Sequence, residues 1–224
     1  MVSILLATYN GEKYIRQSID SVLSQTFKDF EILVGFNGTT DNTKEIVTEY
    51  TDTRIRVFDY GDDKGKARTL NKLLKEARYE WIAVQDDDDV WLPNKLEIQS
   101  KFTESFDVIG TFIMYINEYN EIIGNPNLCT NDDEIKFRSL NGDNQVANTT
   151  SIIRKSAALE VIGWREGIES VEDYDFWLRL IRKGFRFYNV PEFLVKHRLH
   201  SESNFNANMA EIQNMLIKEI LNYK

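Results

Sequence analysis

The chain has 224 residues, 42% of them hydrophobic, enough apolar material for one substantial core, so a single domain is the simplest organisation. Acids outnumber bases 36 to 27, a net charge of −9. A nucleic-acid binder needs a dense basic face to displace phosphate counterions, so no nucleic-acid partner is expected. The single cysteine, Cys129, excludes an internal disulfide framework and a zinc site built on several thiolates.

The N-terminus lacks the basic segment and the length of a secretory signal. No apolar run reaches the roughly 18 residues of a membrane-spanning helix, so a soluble, cytoplasmic protein is expected. Val2 to Ala7 is a short apolar run of buried-strand type. Ile15, Ile19, Val22 and Leu23 then recur at helical spacing. Glu31 to Phe36 is a second strand, ended by the turn-forming Asn37-Gly38, and Asp41 is placed to cap a helix carrying Ile46, Val47 and Tyr50. Arg54 to Tyr60 alternates Ile55 and Val57 with basic residues, as a half-exposed strand does. A helix with Ala67, Leu70, Leu73, Leu74 and Ala77 follows, then the strand Trp81 to Val84. Such strand–helix repeats predict an α/β fold with right-handed crossovers and a mainly parallel central sheet flanked by helices. Its binding crevice lies at the carboxyl ends of the strands, where Thr8-Tyr9-Asn10, Asn37 with Asp41, and Asp86 to Asp89 all fall.

Beyond residue 100 the pattern weakens. Asp107 to Ile116 reads as a strand, Asn117 to Asn127 contains turn material, and residues 130–146 are polar chain with no assigned element. Thr149 to Arg154 reads as a short strand followed by a helix to Ile162. Tyr174, Trp177, Leu178 and Ile181 line one side of a helix that Gly184 ends. From Phe205 onward, Met209, Ile212, Leu216 and Ile220 form an amphipathic C-terminal helix. It packs on its own domain or, alternatively, serves peripheral membrane contact or dimerisation.

Three clusters carry chemistry. In Gln85-Asp86-Asp87-Asp88-Asp89-Val90-Trp91, four consecutive carboxylates follow a buried strand and repel one another. In an extended run Asp86 and Asp88 point the same way. Two convergent carboxylates form a hard-oxygen site for Mg2+ or Mn2+, with positions left for phosphate and water. The competing reading is a solvated acidic loop before the helix that Pro93 begins; an EF-hand is excluded by the missing glycine and distal glutamate. In Glu172-Asp173-Tyr174-Asp175 the macrodipole alone favours acids in a first helical turn. The functional alternative is that Glu172 or Asp173 acts as general base towards a hydroxyl, and spacing does not decide between them. In KHRLHSES, residues 196–203, imidazole, arginine and hydroxyl groups suit a cation or phosphate oxygens, against a solvated loop. Arg68 is a further phosphate or base contact, or a surface arginine.

In order along the chain, VSILLATYNGEKYIRQSIDSVLSQTFKDFEILVGFNGTTDNT, KGKARTLNKLLKEA and IAVQDDDDVWLPNKLEIQ resemble glycosyltransferase family 2, as do GWREGIESVEDYDFWLRLIRKGF and NVPEFLVKHRLHSES. The resemblance covers roughly residues 2 to 100 and 147 to 203. It implies the GT-A fold, a Rossmann-like single domain over residues 1–203, with a nucleotide-sugar-binding half (1–100) and an acceptor-binding half (101–203). Residues 204–224 are then an appended amphipathic helix. It further implies an inverting transferase that uses Mn2+ or Mg2+ and moves a sugar from a nucleoside diphosphate donor to an acceptor hydroxyl, in surface polysaccharide or glycan synthesis. The acceptor is expected to be a glycan or lipid-linked glycan, the latter placing the protein at the inner face of the membrane.

The site residues follow from the resemblance by position. Thr8, Tyr9, Asn10 and Glu12 meet the nucleotide, Asn37 reads the base where the family often has an aspartate, and Arg68 lies beside that base. Asp86 lies near the ribose with Asp87 next to it, while Asp88, Asp89 and His200 meet the metal; Arg198 and Ser203 flank His200 as donor contacts. Asp173 is the expected catalytic base, with Glu172 beside it. The Asn37 amide can accept from a uracil or thymine N3–H and donate to a carbonyl, which favours UDP or dTDP. Two other classes share some features. A Mg-dependent nucleotidyltransferase would bring a Gly-rich basic loop after the first strand, where Thr8 to Lys13 is poor in glycine. A non-catalytic carbohydrate-binding module would not need the acid pairs.

Overall fold

The computed structural model describes residues 1–168, 170–200 and 210–222. Its first half alternates strictly: Val2–Thr8 (β1), Ile15–Leu23 (α1), Phe30–Phe36 (β2), Thr43–Thr48 (α2), Ile55–Asp59 (β3), Lys66–Glu76 (α3) and Trp81–Val84 (β4). β1 and β2 are buried at every position because helices cover both faces of the sheet. Period-two alternation divides each strand between two cores. Ile4, Leu6, Ile32 and Val34 pack with Ile15, Ile19 and Val22 of α1 on one face. Leu5 and Leu33 pack with Leu70, Leu73 and Leu74 of α3 on the other. Gly35 lets α3 approach: a Cβ there would stand 2.6 Å from Thr69 Cγ2.

The second half comprises Val90–Trp91 (β5), Lys95–Ser100 (α4), Val108–Ile116 (β6), Ile122–Gly124 (β7), Asp132–Leu140 (α5), a 3-10 turn at Asn148–Thr150, Ile152–Arg154 (β8), Lys155–Glu160 (α6), Glu172–Arg182 (α7), Phe187–Arg198 (β9) and Ala210–Asn222 (α8). Among the described residues one sheet runs β3-β2-β1-β4-β8-β6-β9-β5, with β7 on β6. β3, β2, β1 and β4 are parallel neighbours, as is the β6–β9 pair. β8 is antiparallel to both β4 and β6, and β5 and β7 are antiparallel to their partners. The parallel sheet expected from the repeats therefore spans β1 to β4. Beyond it the short strands β5, β7 and β8 run antiparallel to their neighbours, and the sheet is mixed.

Several elements differ from the sequence expectation: β5 and β7 are strands where none is expected, and Thr149 and Thr150, expected in a strand, form the 3-10 turn before β8. Residues 132–140, within the stretch given no element, form α5, whose start is capped by the Asn131 side chain accepting from Glu134 N. Its apolar stripe is too broken to read, since Ile135 is buried while Phe137 is 68% exposed. β9, the longest strand, is interrupted by exposed Pro191 and Glu192, where its register with β6 shifts. At the C-terminus, α8 buries Ile220 and packs Leu216, Ile217 and Leu221 on the core shared with α3 and α7. Arg182 donates to the carbonyls of Ile220 and Leu221. Of the apolar face read from the sequence, Leu216 and Ile220 thus pack on their own domain, while residues 205–209 lie outside the described residues. Among the described residues no helix is long and apolar enough to cross a membrane.

Candidate active site

β1, β2 and β4 end at one edge of the sheet, where a cavity of about 630 Å³ opens. Tyr9, Asn10 and Gly11 after β1, and Asn37 after β2, form one wall. Asp86, Asp87 and Asp88 after β4 lie beside it, His197 and His200 enter from the end of β9, and Glu172 and Asp173 from the start of α7. The two acidic groups, far apart in sequence, thus face one space.

A buried glutamine shapes the acidic loop: Gln85 Nε2 donates to Ser18 Oγ at 2.7 Å and to the Asp89 carbonyl at 2.8 Å. Thr8 donates to Asp87, yet burial, with Asp88 adjacent, pushes the Asp87 carboxyl up to about 7. Asp86 Oδ1 lies 2.6 Å from the Lys66 ammonium at the start of α3. Burial opposes that charge, but Asp86, Glu172 and Asp173 together hold the proton on Lys66 well above its ordinary range. Asp88 Oδ2 lies 3.0 Å from His200 Nε2. Burial works against the Asp88 charge, but the His200 contact and the nearby cations keep its pKa below the usual value.

The Asp88–His200 pair fits a divalent ion. Two adjacent ligands of an octahedral cation, each at about 2.1 Å, stand about 3 Å apart, the separation observed here. A hard carboxylate oxygen suits Mn2+ or Mg2+, and the added imidazole nitrogen favours Mn2+ of the two. Among the described residues no group of three or more Asp, Glu, His or Cys side chains is arranged to hold a metal, so other ligands would have to come from donor oxygens and water.

At α7, burial and the neighbouring Glu172 push Asp173 up to about 7, against the opposing pull of Lys66. Asp173 Oδ1 accepts from Tyr174 N at 2.7 Å, and Oδ2 faces Asn144 Nδ2 at 3.4 Å. Besides Asp86 Oδ1, which faces Lys66, five cavity residues carry buried polar atoms with no hydrogen-bond partner among the described residues: Tyr14 Oη, Asn37 Oδ1, both amide atoms of Asn148, Ser170 Oγ and Glu172 Oε2. Buried polar groups are paired in nearly all proteins, so a concentration of exceptions around one cavity marks a polar ligand site.

Several expected site residues stand elsewhere. Asp89, expected beside the ion, is fully buried and accepts from His197 Nδ1 at 2.9 Å and Arg198 N at 2.8 Å, so both its oxygens serve the fold. Arg198 is a correction of the same kind. Its buried guanidinium donates to the Asp88 and Asn117 carbonyls and to Gln17 and Asn120, tying the acidic loop to α1 and the β6–β7 hairpin. Arg68 pairs with Asp63 and Glu166 on the surface and does not line the cavity. Glu12 accepts from Asn42 N and Nδ2 and braces the loop before α2. Thr8 is buried behind the wall and acts on the cavity through Asp87. Ser203 lies outside the described residues. Sequence reasoning missed Lys66, Tyr14 and Asn148 as cavity residues, and took in His197 only as part of the 196–203 cluster. For Lys66 the signal was present, since it follows Gly65 (φ 126°) at the first turn of α3. Asn148 had none.

The family model described as Glycosyl transferase family 2 matches residues 3–163, well over half of the chain. The O-antigen biosynthesis glycosyltransferase WbnJ of Escherichia coli is 32% identical over 225 residues, covering 94% of this chain and 84% of WbnJ. The UDP-Glc:alpha-D-GlcNAc-diphosphoundecaprenol beta-1,3-glucosyltransferase WfaP of Escherichia coli is 29% identical over 210 residues, covering 91% of this chain and 79% of WfaP. The crystal structure of S. aureus TarS 1-349 in complex with UDP-GlcNAc superposes with a TM-score of 0.77 at 21% identity, covering 99% of this chain and 66% of that one, a likeness of fold. With a family match from β1 through α6, a relative 32% identical over most of both chains, and a fold like that of TarS, the chain belongs to glycosyltransferase family 2.

Proposed function

We propose that the chain is an inverting, cation-dependent glycosyltransferase that moves a sugar from UDP or dTDP to an acceptor hydroxyl in polysaccharide synthesis. The observation that carries this reading is the convergence of Asp88 and Asp173 on one cavity edged by unpartnered polar atoms. A UDP-sugar donor is supported by the name of WfaP and by the UDP-GlcNAc bound to TarS. A lipid-linked glycan acceptor rests on the name of WfaP.

The nucleotide lies against the ends of β1 and β2, where buried Asn37 Oδ1 is available to accept from the N3–H of uracil or thymine. Asp88 and His200 would hold the cation, which would supply positive charge beside the diphosphate. Asp173 takes the proton from the acceptor hydroxyl as that oxygen attacks the anomeric carbon from the face opposite the diphosphate. A carboxyl pushed up to about 7 is a stronger base than an ordinary aspartate and is about half ionised at neutral pH. Lys66, between the two acidic groups, keeps Asp173 from rising further. The test is Asp173→Asn: transfer should fall by roughly 10²–10⁴ while nucleotide affinity is kept. Wild-type turnover in that variant would reject Asp173 as the base.

A further inference from the structure

Asn148 has no assigned task, and its environment is unusual. It is 6% exposed, it lines the cavity, and neither Oδ1 nor Nδ2 has a hydrogen-bond partner among the described residues. Because both atoms are unpaired, exchanging oxygen and nitrogen in the assignment changes nothing. The backbone around it, by contrast, is firmly held. Thr150 Oγ1 donates to the Ala147 carbonyl, Ser151 Oγ to the Asn148 carbonyl, and Trp91 Nε1 to the Thr149 carbonyl. A rigid turn thus carries, at the wall of the cavity, a buried amide that makes no hydrogen bond among the described residues.

The neighbours of this turn locate what it would meet. Four residues upstream, Asn144 Nδ2 faces Asp173 Oδ2 at 3.4 Å; one residue downstream, Thr149 Oγ1 donates to Gln85 Oε1, next to Asp86. The segment therefore spans from the proposed base to the acidic loop. With the base at Asn37 and the diphosphate at Asp88 and His200, the sugar is the part of the donor that crosses this span. We propose that Asn148 binds the transferred sugar, giving and accepting hydrogen bonds with its ring hydroxyls, and so sets which sugar is accepted. This rests on the donor reading given above. An amide that can both donate and accept suits a hydroxyl, which does both.

The choice of variant follows from the missing bonds. Asn148→Ala deletes a desolvated amide that makes no internal hydrogen bond, so the melting temperature should hold or rise; a structural asparagine would lower it. Affinities of wild type and N148A for UDP, UDP-glucose, UDP-GlcNAc, dTDP and dTDP-glucose are compared by calorimetry with Mn2+ present, alongside thermal unfolding. Wild type should bind one sugar-bearing nucleotide more tightly than its bare nucleotide. N148A should lose about 10-fold on that sugar nucleotide while bare-nucleotide affinity stays within about 2-fold. Equal losses on bare and sugar-bearing nucleotides, an unchanged preference, no preference in wild type, or a lowered melting temperature would each overturn the assignment of Asn148 and leave the donor reading standing. Wild-type protein that bound no nucleotide at all would overturn the donor reading and Asn148 with it.

Discussion

Asp173 titrates high because it is walled in beside Glu172, and its base form is the deprotonated one. Activity should therefore rise with pH through about 7 and level off above, a limb that Asp173→Asn removes. Lys66 pulls in the opposite direction, so Lys66→Met should move the limb to higher pH without abolishing turnover; a limb that stayed in place would show that Lys66 does not act on Asp173. At this scale the sequence was informative wherever a residue is costly without a task. Adjacent acids after a hydrophobic strand demand an explanation, and Asp86 and Asp88 do line the cavity together. Rotation within a turn is not legible in the same way. One residue beyond Asp88, Asp89 is turned into the sheet by His197 and the Arg198 amide, and no local pattern distinguishes the two carboxylates.

Elements hold the loops of the site in place, and Arg198 does so from the end of β9. Its guanidinium stacks 4.4 Å from the Tyr14 ring while donating to two carbonyls and two side chains from three separate segments. Arg198→Met would take their guanidinium partner from the half-buried Asp88 and Asn117 carbonyls, while the exposed Gln17 and Asn120 can turn to water, a loss of about 1–3 kcal/mol. For a domain of this size each kcal/mol lowers the melting temperature by roughly 2–4 °C. Arg198→Lys keeps the charge but not the planar fork and should recover only part of the loss. Full stability in R198M would remove its role as a clasp. The sequence placed Arg198 at the phosphates because β9 itself was not recognised. Pro191 and Glu192 break its alternation, and its partner β6 lies far upstream, with α5, α6 and α7 between them, beyond the reach of any local pattern. The elements of the first half were legible for the opposite reason: β1, β2 and β4 are compact apolar runs closed by polar or turn residues, and β3 alternates regularly.

The whole molecule is an ordered parallel half joined to a mixed half through the β4–β8 pairing, and the cavity lies where both contribute. Repeats of strand and helix specify the first half from periodicity alone. The second half depends on pairings such as β6 with β9 and β8 with β4, which only the folded chain brings together. A donor bound with its cation would touch the β1 and β2 ends, the acidic loop and α7 at once, linking the two halves. A ligand that binds only the folded state stabilises it by about 2.7 kcal/mol at 100 times its dissociation constant. At roughly 2–4 °C per kcal/mol, saturating UDP with Mn2+ should raise the melting temperature by several degrees. UDP with a chelator should give a much smaller shift, because the diphosphate would then face Asp86, Asp87 and Asp88 without the charge of the ion. Asp88→Ala should lose the cation-dependent part and keep the rest, since Asn37 and the β1 end still hold the nucleotide. A shift equally large with chelator, or a cation-dependent shift retained in D88A, would remove Asp88 from the ion and leave the fold and the family as they stand.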